Sequence, residues 1–240
     1  MRTSNPAFNS DTFSGFGYVD QTMTVYGTVN KSVLLLLLSV ISASVVWAVP
    51  SLSGIGLVAS LPAFILAIAT TFKPEWARIT APIYSVLKGL ALGGISLSIN
   101  YIYPGLPIQA VVLTFGVFFT MMVAYRSGII RASEKFVLGV AAATGGIAIF
   151  YLISWVIGFF GISNPLISGN GLLSIGFSVV VVIISALNLI LDFENIKTGE
   201  QRGAPQYMEW YSAFSLMITL IWLYVEILIL LTKLAGRNQD

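Results

Sequence analysis

The sequence predicts an all-α membrane protein, a bundle of seven transmembrane helices, and three observations predict it. Of its 240 residues 57% are apolar and 9% charged, whereas an ordinary soluble domain carries about 25% charge. The apolar residues fall in runs long enough to cross a hydrocarbon core of about 30 Å, which takes about 20 residues of helix. Breaks between the runs coincide with Pro50, Pro74, Pro104, Pro107, Pro165 and Pro205, where a missing N–H and a restricted preceding residue end helices. The partner this surface demands is the lipid bilayer.

In chain order the candidate spans are 32–49, 56–72, 79–103, 106–125, 136–162, 171–191 and 208–234. The fifth is the longest, with a candidate break at Gly145 and Gly146. Residues 1–31 form a polar tail, 32–234 the transmembrane domain, and 235–240 a short C-terminal tail. The N-terminal tail is rich in Ser, Thr and Asn, with Phe8, Phe13, Phe16 and Tyr18 spaced along it. It reads as a flexible or interface-lying segment, and alternatively as a docking motif. The first run is expected to remain as a span, because it is too long for a signal-peptide core and ends at Pro50 without a small-residue cleavage site.

Positive charge orients the bundle. Arg2 and Lys31 lie before the first span, Lys73 and Arg78 after the second, Arg126, Arg131 and Lys135 after the fourth, and Lys197 and Arg202 after the sixth. The loops after the first, third and fifth spans hold no Lys or Arg. Seven spans put every basic loop on one side, so the N-terminus is expected in the cytoplasm and the C-terminus, with Lys233 and Arg237, outside.

Composition also removes whole classes of function. Single scattered Lys and Arg with a net charge of +2 give no basic patch for nucleic acid. Without Cys or His there are no disulfides, thiol nucleophiles, ordinary zinc sites or Ser–His chemistry. No cofactor and no enzymatic activity are expected, and proton sensing falls to carboxylates.

Charges inside a bilayer cost at least ~2.5 kcal/mol on insertion scales, so each is a functional candidate. Lys88 falls near the middle of the third span, Asp192 at the end of the sixth, Glu209 at the start of the seventh and Glu226 well inside it. At 100° per residue, Ser174, Ser178, Ser185, Asn188 and Asp192 share one face of the sixth span, and Ser212, Ser215, Thr219 and Glu226 one face of the seventh. Two polar stripes on consecutive helices mean either a shared wet path or ordinary hydrogen bonding between packed helices. Gly89 and Gly93 in the third span, and Gly139, Ala142, Ala143 and Gly146 in the fifth, read as close helix packing.

The sharpest site hypothesis joins Asp192 to Glu209 across a short loop. Two carboxylates in a dry site cannot both ionise cheaply, so the pair would take up one proton as a unit. Arg78, at the same level, is the candidate cation for the ionised form, or else an ordinary anchor at the membrane edge. Asn188 is a secondary candidate beside Asp192, and Lys88 a possible partner for Glu226.

Residues 187–230, LNLILDFENIKTGEQRGAPQYMEWYSAFSLMITLIWLYVEILIL, resemble the last two spans of the Bax inhibitor-1 family, in its bacterial YccA-like branch. The segments TSNPAF at 3–8 and YSVLKGLALGGIS at 84–96 resemble the same branch. The resemblance implies a seven-helix bundle with the last helix at its centre and a pH-sensitive calcium leak. It also implies control by aspartates of the sixth and seventh helices with a basic residue near the start of the third. Asp192 matches the sixth-helix aspartate and Arg78 lies close to the basic position. The seventh helix departs from the pattern: Ala213 and Met217 stand where aspartates are expected, and Glu209 stands a turn earlier.

Two functions are therefore expected. One is a passive cation leak, favouring Ca²⁺ because carboxylate, amide and hydroxyl oxygens suit a hard ion. The other is an interaction protein that modulates a membrane protease or a stress response through its N-terminal tail. The resemblance places the chain in a bacterial plasma membrane.

Overall fold

The computed structural model describes residues 21–237. Among them the chain is helical throughout: α1 (Val25–Ala48), α2 (Ser53–Val58), α3 (Ser60–Phe72), α4 (Ala77–Ile102), α5 (Leu106–Arg126), α6 (Glu134–Gly158), the short α7 (Pro165–Ser168), α8 (Leu172–Gln201) and α9 (Met208–Arg237). Six of these helices are long and apolar enough to cross a membrane. The seventh crossing is the second expected span, delivered as α2 and α3, two helices bent by 44° at a short break. The chain divides into two compact units. One holds α1 to α4 with residues 192–218; the other holds residues 108–191 and those from 219 onward.

In the α1–α4 unit the register of side chains fixes helix direction. The Ser39 hydroxyl donates to the Ser85 carbonyl at 2.8 Å, Gly89 faces Ser39 and Ser42, and Gly93 faces Ala43 and Val46. Positions on α1 and α4 advance together, so the two helices run parallel. Along α2 and α3 the order reverses: Ser53 lies against Gly94, Gly56 against Leu90, and Thr70 hydrogen-bonds Thr80 at 2.7 Å. Parallel α1 and α4 require the chain between them to return across the bundle, and the bent pair is that return. The expectation of seven spans thus has a physical basis in packing as well as in length.

Glycine makes this approach possible. A Cβ on Gly93 would sit 2.8 Å from the Ala43 carbonyl oxygen and 2.9 Å from its Cα, and one on Gly89 would sit 2.8 Å from the Ser39 Cα. The reading of Gly89 and Gly93 as packing residues agrees with this geometry. The same reading of α6 is overturned. A Cβ on Gly139, Gly145 or Gly146 would meet nothing within 4 Å, and α6 runs unbroken through the expected break.

Two helix limits differ from expectation. Helix α1 begins at Val25 rather than at residue 32, because Thr24 caps it by accepting the Gly27 N–H at 2.9 Å. Helix α8 continues to Gln201 rather than stopping at 191. Both extensions are polar and both meet the turn between α8 and α9. Met23 N–H donates to the Ala204 carbonyl at 2.7 Å and Gln206 N–H to Gln21 at 3.0 Å. Gly203, at φ 64°, supplies the left-handed residue that ends α8. Met23, Ala77, Ala204, Met208 and Tyr211 bury one another there, so the starts of α1, α4 and α9 share one end of this unit.

The lipid-facing surface is plain: Val33, Leu37, Ile41, Phe64, Leu138, Ile149 and Trp155 are among the exposed apolar residues. Helix α9 is the most enclosed span, with 61% of its most apolar window buried against 11–44% in the other five. That agrees with a last helix surrounded by protein.

Candidate functional site

The polar stripes of α8 and α9 point inward. Ser174, Ser178, Ser185, Asn188 and Asp192 are all buried, as are Ser212, Ser215, Thr219 and Glu226. A helical period that kept these groups on one face also kept them out of lipid, where an unsatisfied polar group costs several kcal/mol.

Asp192 is 2% exposed and its Oδ1 accepts the Ser215 hydroxyl at 3.1 Å. One turn before Ser215, the Ser212 hydroxyl is fully buried with no hydrogen-bond partner among the described residues, and the same holds for the Ser85 hydroxyl of α4. Next to Ser85, Tyr84 stands edge-on to Phe214 with ring centres 5.1 Å apart. The shown contact of Asp192 in this unit is thus the Ser215 hydroxyl of α9.

Glu209 is engaged elsewhere. Its Oε1 accepts the Thr24 N–H at 2.8 Å and the Thr24 hydroxyl at 2.9 Å, while its Oε2 is ion-paired with Lys31. The Lys31 ammonium also lies 5.5 Å from the Trp210 ring centre, within reach of a cation–π interaction. Gly27 makes room, since any Cβ there would overlap the carboxylate. Glu200 adds a second contact by accepting the Val25 N–H at 2.8 Å. Two carboxylates thus hold the first turn of α1, where free N–H groups and the helix dipole favour negative charge.

The expected Asp192–Glu209 pair is not formed, and the reason is the length of α8. Asp192 lies well inside the helix, roughly 13 Å of rise before Gln201, while Glu209 stands in the first turn of α9. The residue facing Asp192 is Ser215, about 9 Å of rise beyond Glu209. Arg78 is exposed and forms no ion pair among the described residues, so it does not hold Asp192. Lys88 is half-buried, also without an ion pair among those residues.

In the other unit, Asn188 donates to the Thr144 hydroxyl and to the Ile184 carbonyl, both at 2.8 Å, tying α8 to α6. Glu226, 3% exposed, accepts the Tyr151 hydroxyl at 3.0 Å and the Trp222 indole N–H at 3.0 Å. Sequence offered Lys88 as its cation, but the cation acting on Glu226 is Lys233 of the same helix. Lys233, read from sequence as a basic residue at the outer end of the last span, is 5% exposed and turned inward.

Sequence reasoning passed over Lys31, Thr24 and Gly27. The signal was present, because residues 24, 27 and 31 fall within about 60° on a helix; it was hidden by placing them in the tail. Among the described residues no three His, Cys, Asp or Glu side chains converge on a common point, and the buried carboxylates each have their own partners. Outside the spans, burial and then the nearby Glu75 carboxylate push the Tyr207 phenol above its ordinary range, leaving it a neutral donor. The tail residues Phe8, Phe13, Phe16 and Tyr18, the basis of the docking reading, lie outside the described residues.

Comparison with known families finds one whose description is Bax inhibitor 1 like, matching residues 5–236. Comparison with curated proteins finds no match.

Proposed function

Because this chain belongs to the Bax inhibitor-1-like family and is a multi-pass membrane protein, we propose that it is a passive, proton-regulated cation leak with Ca²⁺ as the favoured ion. Asp192 is the group whose protonation sets the leak. One observation carries the reading: a carboxylate 2% exposed, inside a transmembrane helix, whose Oδ1 accepts from a hydroxyl. Such a group is costly to keep and marks an ion or proton path by default. The oxygens of Asp192 and Ser215 are hard donors of the kind that a partly dehydrated Ca²⁺ accepts.

Glu209 has a different part in this reading. It fastens the start of α1 to α9 and so positions the helix that carries Ser212 and Ser215. The activity involves no cofactor and no covalent chemistry. With Lys233 buried, Arg237 is the one basic residue left for the proposed outer side, which supports a cytoplasmic N-terminus; the membrane in this reading is the bacterial plasma membrane.

A second reading, a modulator of a membrane protease without transport, is favoured by one set of contacts. The root of the tail, residues 21–24, is fastened to the turn before Glu209, so a partner gripping the tail would act on α9.

Calcium flux into proteoliposomes between pH 6 and pH 8 tests the leak. The expected result is uptake above that of protein-free vesicles, varying with pH; uptake equal to that of empty vesicles contradicts the leak and leaves the second reading.

A further inference from the structure

A lysine near the end of a transmembrane helix ordinarily extends its ammonium toward the interface. Lys233, in the last turns of α9, does the opposite. It is 5% exposed and its Nζ donates to the Leu166 carbonyl at 3.0 Å, the Ser174 carbonyl at 3.4 Å and the Ser178 hydroxyl at 2.9 Å. The backward tilt of side chains on a helix carries it toward the N-terminal end of α9 and away from the membrane edge.

These three acceptors match the three protons of an ammonium. They come from two elements: Leu166 belongs to α7, and Ser174 and Ser178 stand one turn apart on α8. The Ser174 hydroxyl also donates to the Leu166 carbonyl at 2.8 Å, and Asn164 caps α7 while its side-chain N–H₂ donates to Ser154 at 2.8 Å. The Leu166 and Ser174 carbonyl oxygens are therefore placed by helix and loop contacts that do not depend on the lysine. All three acceptors are neutral oxygens, and the Glu226 carboxylate, two turns earlier on α9, adds its attraction for a positive charge at this place.

We propose that Leu166, Ser174 and Ser178 form a monovalent-cation site that Lys233 fills with its own tethered ammonium, so that mobile cations are kept from this end of the unit. The site proposal stands on geometry alone; its consequence for permeation rests on the leak reading. A fixed ammonium among buried oxygens repels a second cation strongly where water does not screen it. Removing the ammonium while keeping the oxygens should turn an occupied site into one open to Na⁺, K⁺ or a small alkylammonium.

The test compares thermal unfolding of the purified full chain in chlorides of Na⁺, K⁺, ethylammonium and N-methylglucamine at one ionic strength. Wild type is expected to unfold at the same temperature in all four. Lys233→Ala is expected to unfold several degrees lower in N-methylglucamine and to recover part of the loss in at least one small cation, with Lys233→Ser behaving alike. Lys233→Met, which fills the space without charge, should be indifferent to the cation. Equal unfolding temperatures for Lys233→Ala in all four salts would overturn the proposal, as would cation dependence in Lys233→Met. Failure of both Lys233→Ala and Lys233→Ser to fold in any of the salts would overturn it too, because a mobile cation should replace the tethered one. In proteoliposomes Lys233→Ala should raise Na⁺ or K⁺ leak about tenfold. A vesicle experiment without leak from any variant would contradict the proposed function and leave the unfolding result to decide the site.

Discussion

The two units use their glycines differently, although both carry the small-residue spacings associated with close packing. In the α1–α4 unit, Gly89 and Gly93 press against the backbone of α1 with no space for a methyl group. In the other unit, Gly139, Gly145 and Gly146 of α6 border open space, and α6 meets α8 through larger side chains, apolar ones such as Phe150 with Phe177 and Val140 with Leu191 as well as polar ones. Asn188 reaches Thr144, Tyr151 and Trp222 reach Glu226, and Lys233 reaches Ser178. A glycine pattern therefore says only that close approach is permitted. Whether it occurs depends on what the facing helix offers, and Ser39, Ser42 and Ala43 offer a small enough surface. Backbone-to-backbone packing resists deformation, whereas side-chain hydrogen bonds between helices average below about 2 kcal/mol each in membranes.

That contrast can be broken deliberately. The largest effect is expected at Gly89: replacement by Ala drives a Cβ into the Ser39 backbone, which cannot swing aside, and should cost ~1–3 kcal/mol or more in reversible unfolding from mixed micelles. Next comes Glu209→Gln. It keeps an acceptor for Thr24 but removes the charge opposite Lys31, and losing a charge-assisted hydrogen bond of this kind should cost about 1.5–3 kcal/mol in the same assay. The smallest effect, with the opposite sign, belongs to Gly146→Ala. With open space around it and a helical backbone, the substitution should stabilise α6 by about 0.5–1 kcal/mol. A loss at Gly146 equal to that at Gly89 would erase the distinction between the units.

Much of the architecture was legible in the chain because lipid imposes a simple ruler. Apolar length and proline breaks located every crossing, including the one built from α2 and α3. The period of polar residues on α8 and α9 located the buried faces. Helix ends were not legible, and the site hypothesis failed with them. Residues 25–31 and 192–201 are polar and look like loop or tail by composition, yet they stay helical because Thr24, Glu200, Glu209 and the Met23–Ala204 hydrogen bond satisfy them. Thr24 is a local cap, but Glu200 and Glu209 lie 175 and 185 residues from the α1 groups they hold, so no local pattern announces those contacts. Ending α8 at residue 191 placed Asp192 beside Glu209; extending it to Gln201 placed Asp192 beside Ser215. Likewise Lys233 looked like an outward charge at the end of the last span because its acceptors on α7 and α8 are invisible to a count of basic residues.

Asp192 and Glu209, the buried carboxylates among the described residues of the α1–α4 unit, have separate tasks: Asp192 carries the proton and Glu209 fastens α1. Calcium flux in proteoliposomes across pH 6 to pH 8, with Asp192→Asn and Glu209→Gln side by side, measures that division. Asp192→Asn should flatten the pH dependence while the chain stays folded, and Glu209→Gln should keep it while unfolding more easily. Flattening by both substitutions alike would contradict the division and return the two groups to a single proton-sharing pair.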